Sequence, residues 1–197
     1  MVVFLRKGQL YAALCLLVLS ACQGTAESVA PASGPEPVTY LIRKGAHYAT
    51  SNPLKNTKIT TLKFEVTFDS SAVYTTVDPV NQGDINKLYG VADCGTLHQT
   101  NSARFGWRWY NNQLEVHAYT YLNKVRMSAY IGAVTLGKKS IYELELGDQL
   151  YTFGLDGRQV TLPRACTGEG AGYQLYPYFG GDETAPHDIQ IIIQELK

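Results

Sequence analysis

The stretch Ala103-Arg-Phe-Gly-Trp-Arg-Trp-Tyr-Asn-Asn-Gln-Leu-Glu-Val-His-Ala-Tyr-Thr-Tyr121 decides the fold. Asparagine tolerates the positive φ that a two-residue hairpin turn demands, so Asn111-Asn112 is read as the turn between two strands. Counting outward sets Trp109 against Leu114, Trp107 against Val116 and Phe105 against Ala118 on one apolar face. The other face sets Arg108 against Glu115, Gly106 against His117 and Arg104 against Tyr119. Cross-strand pairs of these kinds each contribute roughly 0.2–1 kcal/mol. A slip of one residue would invert both faces at once, so the pattern fixes its own register.

Working outward, the same period of two recurs. Leu62, Phe64, Val66 and Phe68 fall on one face, with Thr61, Lys63, Glu65 and Thr67 on the other. Strands over 141–146, 149–155 and 158–162 are separated by turn signals at Gly147-Asp148 and Asp156-Gly157. They align Tyr142, Leu144, Leu146, Tyr151, Phe153, Leu155, Val160 and Leu162 on one face. Ile189, Ile191 and Ile193 mark a last strand. No run of ten residues carries a helical stripe. Strands that are apolar on one face must stack against a second sheet, so the expectation is an all-β, antiparallel two-sheet β-sandwich over residues 38–197.

The run Tyr142-Glu-Leu-Glu-Leu-Gly-Asp-Gln-Leu-Tyr-Thr-Phe-Gly-Leu-Asp156-Gly157-Arg158 resembles the centre of concanavalin A-like lectin/glucanase domains. Tyr178-Phe-Gly-Gly181 before an aliphatic final strand is similar to the end of their laminin-G-like branch. The likeness covers about half of the domain and implies a jelly roll; it leaves the activity open.

The first residues carry a different message. Arg6 and Lys7 precede an uncharged run over residues 9–21, too short to span a bilayer but suited to an export signal. Leu19-Ser20-Ala21-Cys22 resembles the lipobox of bacterial lipoproteins, which implies cleavage after Ala21 and acylation of Cys22. Two or more acyl chains anchor a protein firmly. Residues 22–37 then read as the lipidated cysteine and a Pro-rich tether. The expected home is the bacterial cell envelope, on the periplasmic side or at the cell surface. Of the four cysteines, Cys94 and Cys166 remain within the domain, where an oxidising compartment favours a disulfide.

The whole chain has 17 basic and 17 acidic residues, and loss of Arg6 and Lys7 leaves 15 against 17, a formal charge of −2. With no basic run, nucleic acid is not an expected partner. Fourteen tyrosines and low charge point to neutral, hydrogen-bonding ligands, and the expected ligand is a carbohydrate.

The candidate ligand face carries Arg104, Arg108, His117, Tyr119 and Tyr121, fed by a polar loop with His98 and Asn101. Gly106 opposite His117 is expected to leave a notch for a sugar ring, with the face itself open to solvent. Trp107 and Trp109 belong to the core face. No catalytic residue is assigned, and two other readings stay open. As a hydrolase, Glu143, Glu145 and Asp148 fall short of the glucanase pattern Glu-x-Asp-x-(x)-Glu, lacking its central Asp and final Glu. As a polysaccharide lyase, Gln113-Leu-Glu-Val-His117 is longer by two residues than the Gln-x-His strand it resembles. A structural envelope protein with no small ligand is the third reading. No cofactor is required, although Asp182, Glu183, His187 and Asp188 crowd one loop in the way of a Ca²⁺ site.

Replacing Cys22 with Ala is expected to leave a soluble domain or an uncleaved precursor. Membrane fractionation with mass spectrometry of the N-terminus checks this, and a normally processed, membrane-bound variant would contradict the lipobox reading.

Overall fold

The computed structural model describes residues 34–197. The expected signal (1–21), the lipid-bearing Cys22 and the tether up to residue 33 lie outside the described residues. Two antiparallel six-stranded sheets stack face to face, as alternation required. The first contains β1 (Val38–Ile42), β3 (Thr61–Phe68), β8 (Lys139–Gly147), β9 (Leu150–Leu155), β10 (Arg158–Pro163) and β12 (Ile189–Leu196). Its spatial order is β1-β12-β3-β8-β9-β10. The second contains β2 (Asn56–Ile59), β4 (Asn86–Ala92), β5 (Ser102–Tyr110), β6 (Gln113–Leu122), β7 (Val125–Val134) and β11 (Gly170–Leu175). Its order is β2-β11-β4-β5-β6-β7.

The deciding hairpin is β5–β6, with the register read from the sequence: Trp107 faces Val116, Gly106 faces His117 and Arg104 faces Tyr119. Asn111 and Asn112 both have positive φ, 51° and 58°, as a type I′ turn requires. Asp156-Gly157 makes the β9–β10 turn in the same way. The turn expected at Gly147-Asp148 sits one residue later, at Asp148-Gln149, because Gly147 still pairs with Leu150.

Both inner faces are apolar. Phe105, Trp107, Leu114, Val116 and Ala118 from one sheet meet Phe64, Val66, Tyr142, Leu144, Phe153 and Ile191 from the other, all buried. Phe105 stands edge-on to Tyr142 and Phe153, at centroid distances of 5.0 and 5.2 Å. Trp107 is fully buried beside Phe68, Tyr74 and Phe179, whereas Trp109 at the hairpin end is only half-buried.

A polar staple crosses this core at one end. Asp93, which follows β4, and Arg164, which follows β10, have fully buried side chains joined at 2.7 Å. Asp93 also accepts from the Tyr151 hydroxyl on β9 (2.7 Å) and from the Ala171 amide on β11 (3.1 Å). Arg164 donates further to the carbonyls of Gly147 and Gly168, at 2.8 Å each. Cys94, next to Asp93, and Cys166, two residues after Arg164, form the expected disulfide across 72 positions of chain.

Removing one partner of a buried pair strands the other charge, so Asp93→Ala should cost about 3–5 kcal/mol. Urea titration of the variant against the parent measures it. A loss near that of an exposed ion pair, under about 1 kcal/mol, would show that the staple is not structural.

Candidate functional site

On the outward face of the second sheet the chain opens a cleft of about 460 Å³. Its floor comes from the strands: Lys87 on β4, Arg104 on β5, Tyr119 and Tyr121 on β6, and Tyr173 on β11. Residues 48–54 form one wall, residues 176–181 another, and His98 with Gln99 a third.

Each floor residue arrives by a local device. Arg104 and Tyr119 oppose each other on β5 and β6 because their neighbours Phe105 and Ala118 must face the core. Lys87 depends on a β-bulge. Between Lys87 and Gly90, three steps along β4 match two along β5 (Gly106 to Arg104). The extra residue lets Leu88 and Tyr89 both enter the core. Strict alternation would have sent Lys87 inward; the bulge returns it to the outward face. A glycine inside a strand pattern, here Gly90, is the sequence signal for such a bulge.

The third wall belongs to the loop after Asp93. Cys94 and Gly95 turn it with positive φ, and the Gly95 amide donates to the Ala171 carbonyl. The His98 amide donates to the Tyr173 hydroxyl at 3.1 Å, and His98 Nδ1 lies 2.8 Å from the same oxygen. Asn101 holds the other end of this loop, accepting from the Asn123 amide.

The electrostatics are one-sided. Lys87, His98 and Arg104 are the charged or chargeable basic groups of the cleft, and no carboxylate lines it. Lys87 Nζ sits 5.2 Å from the Tyr119 ring centre and 5.7 Å from that of Tyr178, and donates to the Gly180 carbonyl at 2.7 Å. Arg104 lies over Tyr119 at 5.7 Å. Burial, reinforced by the Arg104 charge, lowers the Lys87 ammonium to about 8. Burial and then Arg104 also push His98 below its usual value, favouring its neutral form. The Tyr119 hydroxyl is raised to about 12, chiefly by burial and by Tyr121 beside it.

The seven residues expected to form one site divide. His98, Arg104, Tyr119 and Tyr121 share the cleft. Arg108 and His117 do not: Arg108 Nε donates to Glu115 at 2.7 Å, and His117 Nε2 lies 3.2 Å from the same carboxylate oxygen. That pair neutralises itself, and burial holds the His117 pKa below its usual value against the pull of Glu115. Asn101 serves the loop rather than the cleft. Two expectations are corrected here. The notch over Gly106 is filled, because a Cβ there would meet Ile85 Cγ2 at 2.3 Å. The face is not open to solvent either; the flanking segments roof it, leaving Arg104 8%, His117 5% and Tyr119 3% exposed. Lys87, Tyr173 and Tyr178 are among the cleft residues that alternation alone did not single out.

Backbone hydrogen bonds decide the remaining candidates. The acidic loop does not converge on one point: Glu183 accepts from the amides of Val77 and Asp78, and Asp188 from that of Lys44. His187 is bonded to the Ser71 carbonyl. Among the described residues, the metal-binding types that do converge are Asp93, Cys94 and Cys166, already committed to the staple and the disulfide.

No protein-family model matches the chain, and no curated protein matches it. Solved structures do. The alginate lyase AlyC3 superposes with a TM-score of 0.55 at 13% identity, over 80% of this chain and 72% of that one. SCLam, a non-specific endo-β-1,3(4)-glucanase of family GH16, gives 0.54 at 8%, over 81% and 70%. The domain has the concanavalin A-like lectin/glucanase fold. A functionally unknown protein from Saccharomyces cerevisiae gives 0.50 at 7% identity, over 81% of this chain and 84% of that one. In this jelly roll Glu143 and Glu145 lie on β8 of the first sheet, away from the cleft, and Glu143 pairs with Lys63 at 3.4 Å.

A lysine whose pKa falls on folding loses its proton first in the native state. From about pH 8 to the ordinary lysine value of 10.5, the unfolded chain therefore binds more protons, and Lys87 makes stability rise with pH. Urea midpoints across that window should climb less steeply in Lys87→Met than in the parent; equal slopes would show that Lys87 titrates normally.

Proposed function

We propose that the protein is a lipid-anchored component of the bacterial cell envelope that binds a carbohydrate in this cleft without cleaving it. One observation carries the reading: a cleft of sugar-ring dimensions whose floor and walls combine tyrosine rings with guanidinium, ammonium and hydroxyl donors. Aromatic faces stack on the apolar faces of sugars, while fixed donors engage ring hydroxyls. Proteins that share the fold include an alginate lyase and an endo-glucanase, which supports a polysaccharide as the ligand class.

The argument against hydrolysis is local. A retaining glycosidase needs two carboxyls about 5–5.5 Å apart, and an inverting one needs them somewhat farther apart; this cleft offers none. A second reading, a lyase, draws on His98: a histidine biased towards its neutral form, bonded to Tyr173 and facing the same cleft as Arg104, has the ingredients of proton abstraction beside a charge-neutralising group. His117, which ends the Gln113–His117 stretch, lies outside the cleft against Glu115.

A glycan array probed with the full chain in detergent tests binding. Tyr121→Ala, at a half-exposed position, should weaken a positive interaction by about 0.5–1.5 kcal/mol with little effect on stability. Ultraviolet absorbance of unsaturated products and reducing-end assays on the bound polymers separate the readings. Product formation would make the protein an enzyme, and an array with no binding would leave a structural envelope role.

A further inference from the structure

We propose that the glycan carries a carboxylate or sulfate group, and that this anion seats between Arg104 and Lys87; the inference rests on reading the cleft as a glycan site.

The buried arginines of this protein provide the comparison. Arg164 is saturated by Asp93 and two carbonyls. Arg108, less buried, is held by Glu115 and the Gly83 carbonyl. Arg104 stands apart. Its residue is 8% exposed, yet its guanidinium makes no hydrogen bond or ion pair with any described residue, and its Nε is buried without a partner. Buried charges in folded proteins are paired, because leaving one uncompensated in a low-dielectric setting is costly. The tyrosine ring beneath Arg104 offsets part of that cost by cation–π attraction, but a ring face fills none of the five N–H donors.

Lys87 compounds the imbalance. It shares the Tyr119 ring with Arg104, so two cations flank one aromatic residue; Asp84, close by Gly181, offsets part of the Lys87 charge, but no acidic side chain lines the cleft. An anion placed there would meet both cations and satisfy the unfilled guanidinium donors. The guanidinium fork matches the oxygens of carboxylate and sulfate alike. A free ion would leave most of the 460 Å³ unused, whereas Tyr121, Tyr173 and Tyr178 offer rings for the sugar that bears the charge. The cationic site is a single spot rather than a stripe, which fits one charged substituent and not a polyphosphate backbone.

The test uses the full chain in detergent on an array of uronate-bearing and sulfated oligosaccharides, each paired with its carboxyl-reduced or desulfated twin. Hits are then titrated calorimetrically against wild type, Arg104→Gln and Arg104→Lys, with melting midpoints recorded for each. The expected result is at least tenfold tighter binding of charged members than of their neutral twins, lost in Arg104→Gln and partly kept in Arg104→Lys. Whether uronate or sulfate members respond identifies the anion. If Arg104→Gln does not fold, the twin comparison on wild type and Arg104→Lys still decides. Twins that bind equally, or hits confined to neutral sugars, overturn the charge assignment while leaving the glycan reading intact. No hit of any kind overturns both. A melting shift with sodium sulfate as large as that with any glycan overturns the sugar and leaves a simple anion site.

Discussion

The Asp93–Arg164 pair is the constraint on which the working end of this jelly roll depends. Taking two charges fully out of water is expensive, and the pair is tolerable because nearly every donor and acceptor around it is used. Those bonds come from β9 and the segment after β10 on one sheet and from β11 on the other, so the pair fixes how the two sheets meet at that end. The disulfide beside it fastens the same two segments covalently. From there the loop starts towards His98, already turned by Cys94 and Gly95. One wall of the cleft is therefore positioned by an interaction buried beneath it.

A second constraint divides the outward face of β5 and β6. Ile85 lies where Gly106 lacks a side chain, and it separates two electrostatic worlds. On one side Arg108, Glu115 and His117 compensate one another. On the other, Arg104 has no hydrogen-bond or ion-pair partner among the described residues, and Lys87 beside it bonds the Gly180 carbonyl. Net charge gives no hint of this. A chain whose formal charge is zero can still concentrate cations, because the carboxylates are spent elsewhere: Glu195 on Lys55 and Tyr89, Glu65 on Lys139, Asp93 on Arg164. Composition averages over the whole surface and does not register a local concentration of this kind.

The strands were legible because their rules are local. Asn111-Asn112 and Asp156-Gly157 set turns, alternation set faces, and together they set register for β5–β6 and β9–β10, whereas the β8–β9 register moved with its turn. The cleft was only half legible. Arg104, Tyr119 and Tyr121 follow from the hairpin, and His98 from a polar loop, since sequence neighbours fix which way they point. Lys87 requires the bulge before Gly90, and Tyr178 requires a chain reversal that stacks it on His47 and pairs its backbone with Lys87. Exposure was misjudged for the same reason. Alternation tells which side of a sheet a residue occupies, but not whether a distant segment will cover that side.

The position of β12 has a consequence for assembly. It lies between β1 and β3, so strands from the two ends of the domain are neighbours. Contacts of such sequence separation are slow to form. A chain delivered from its N-terminus presents β1 and β3 long before the strand that joins them, and the gap stays open until Ile189–Leu196 arrives. During that wait the unpaired edge of β3 invites association with other chains. Lys63 and Glu65 alternate there with Leu62, Phe64 and Val66; in the finished domain they meet Glu143 and Lys139, and charges at such positions are what disfavours pairing of an open edge with another chain.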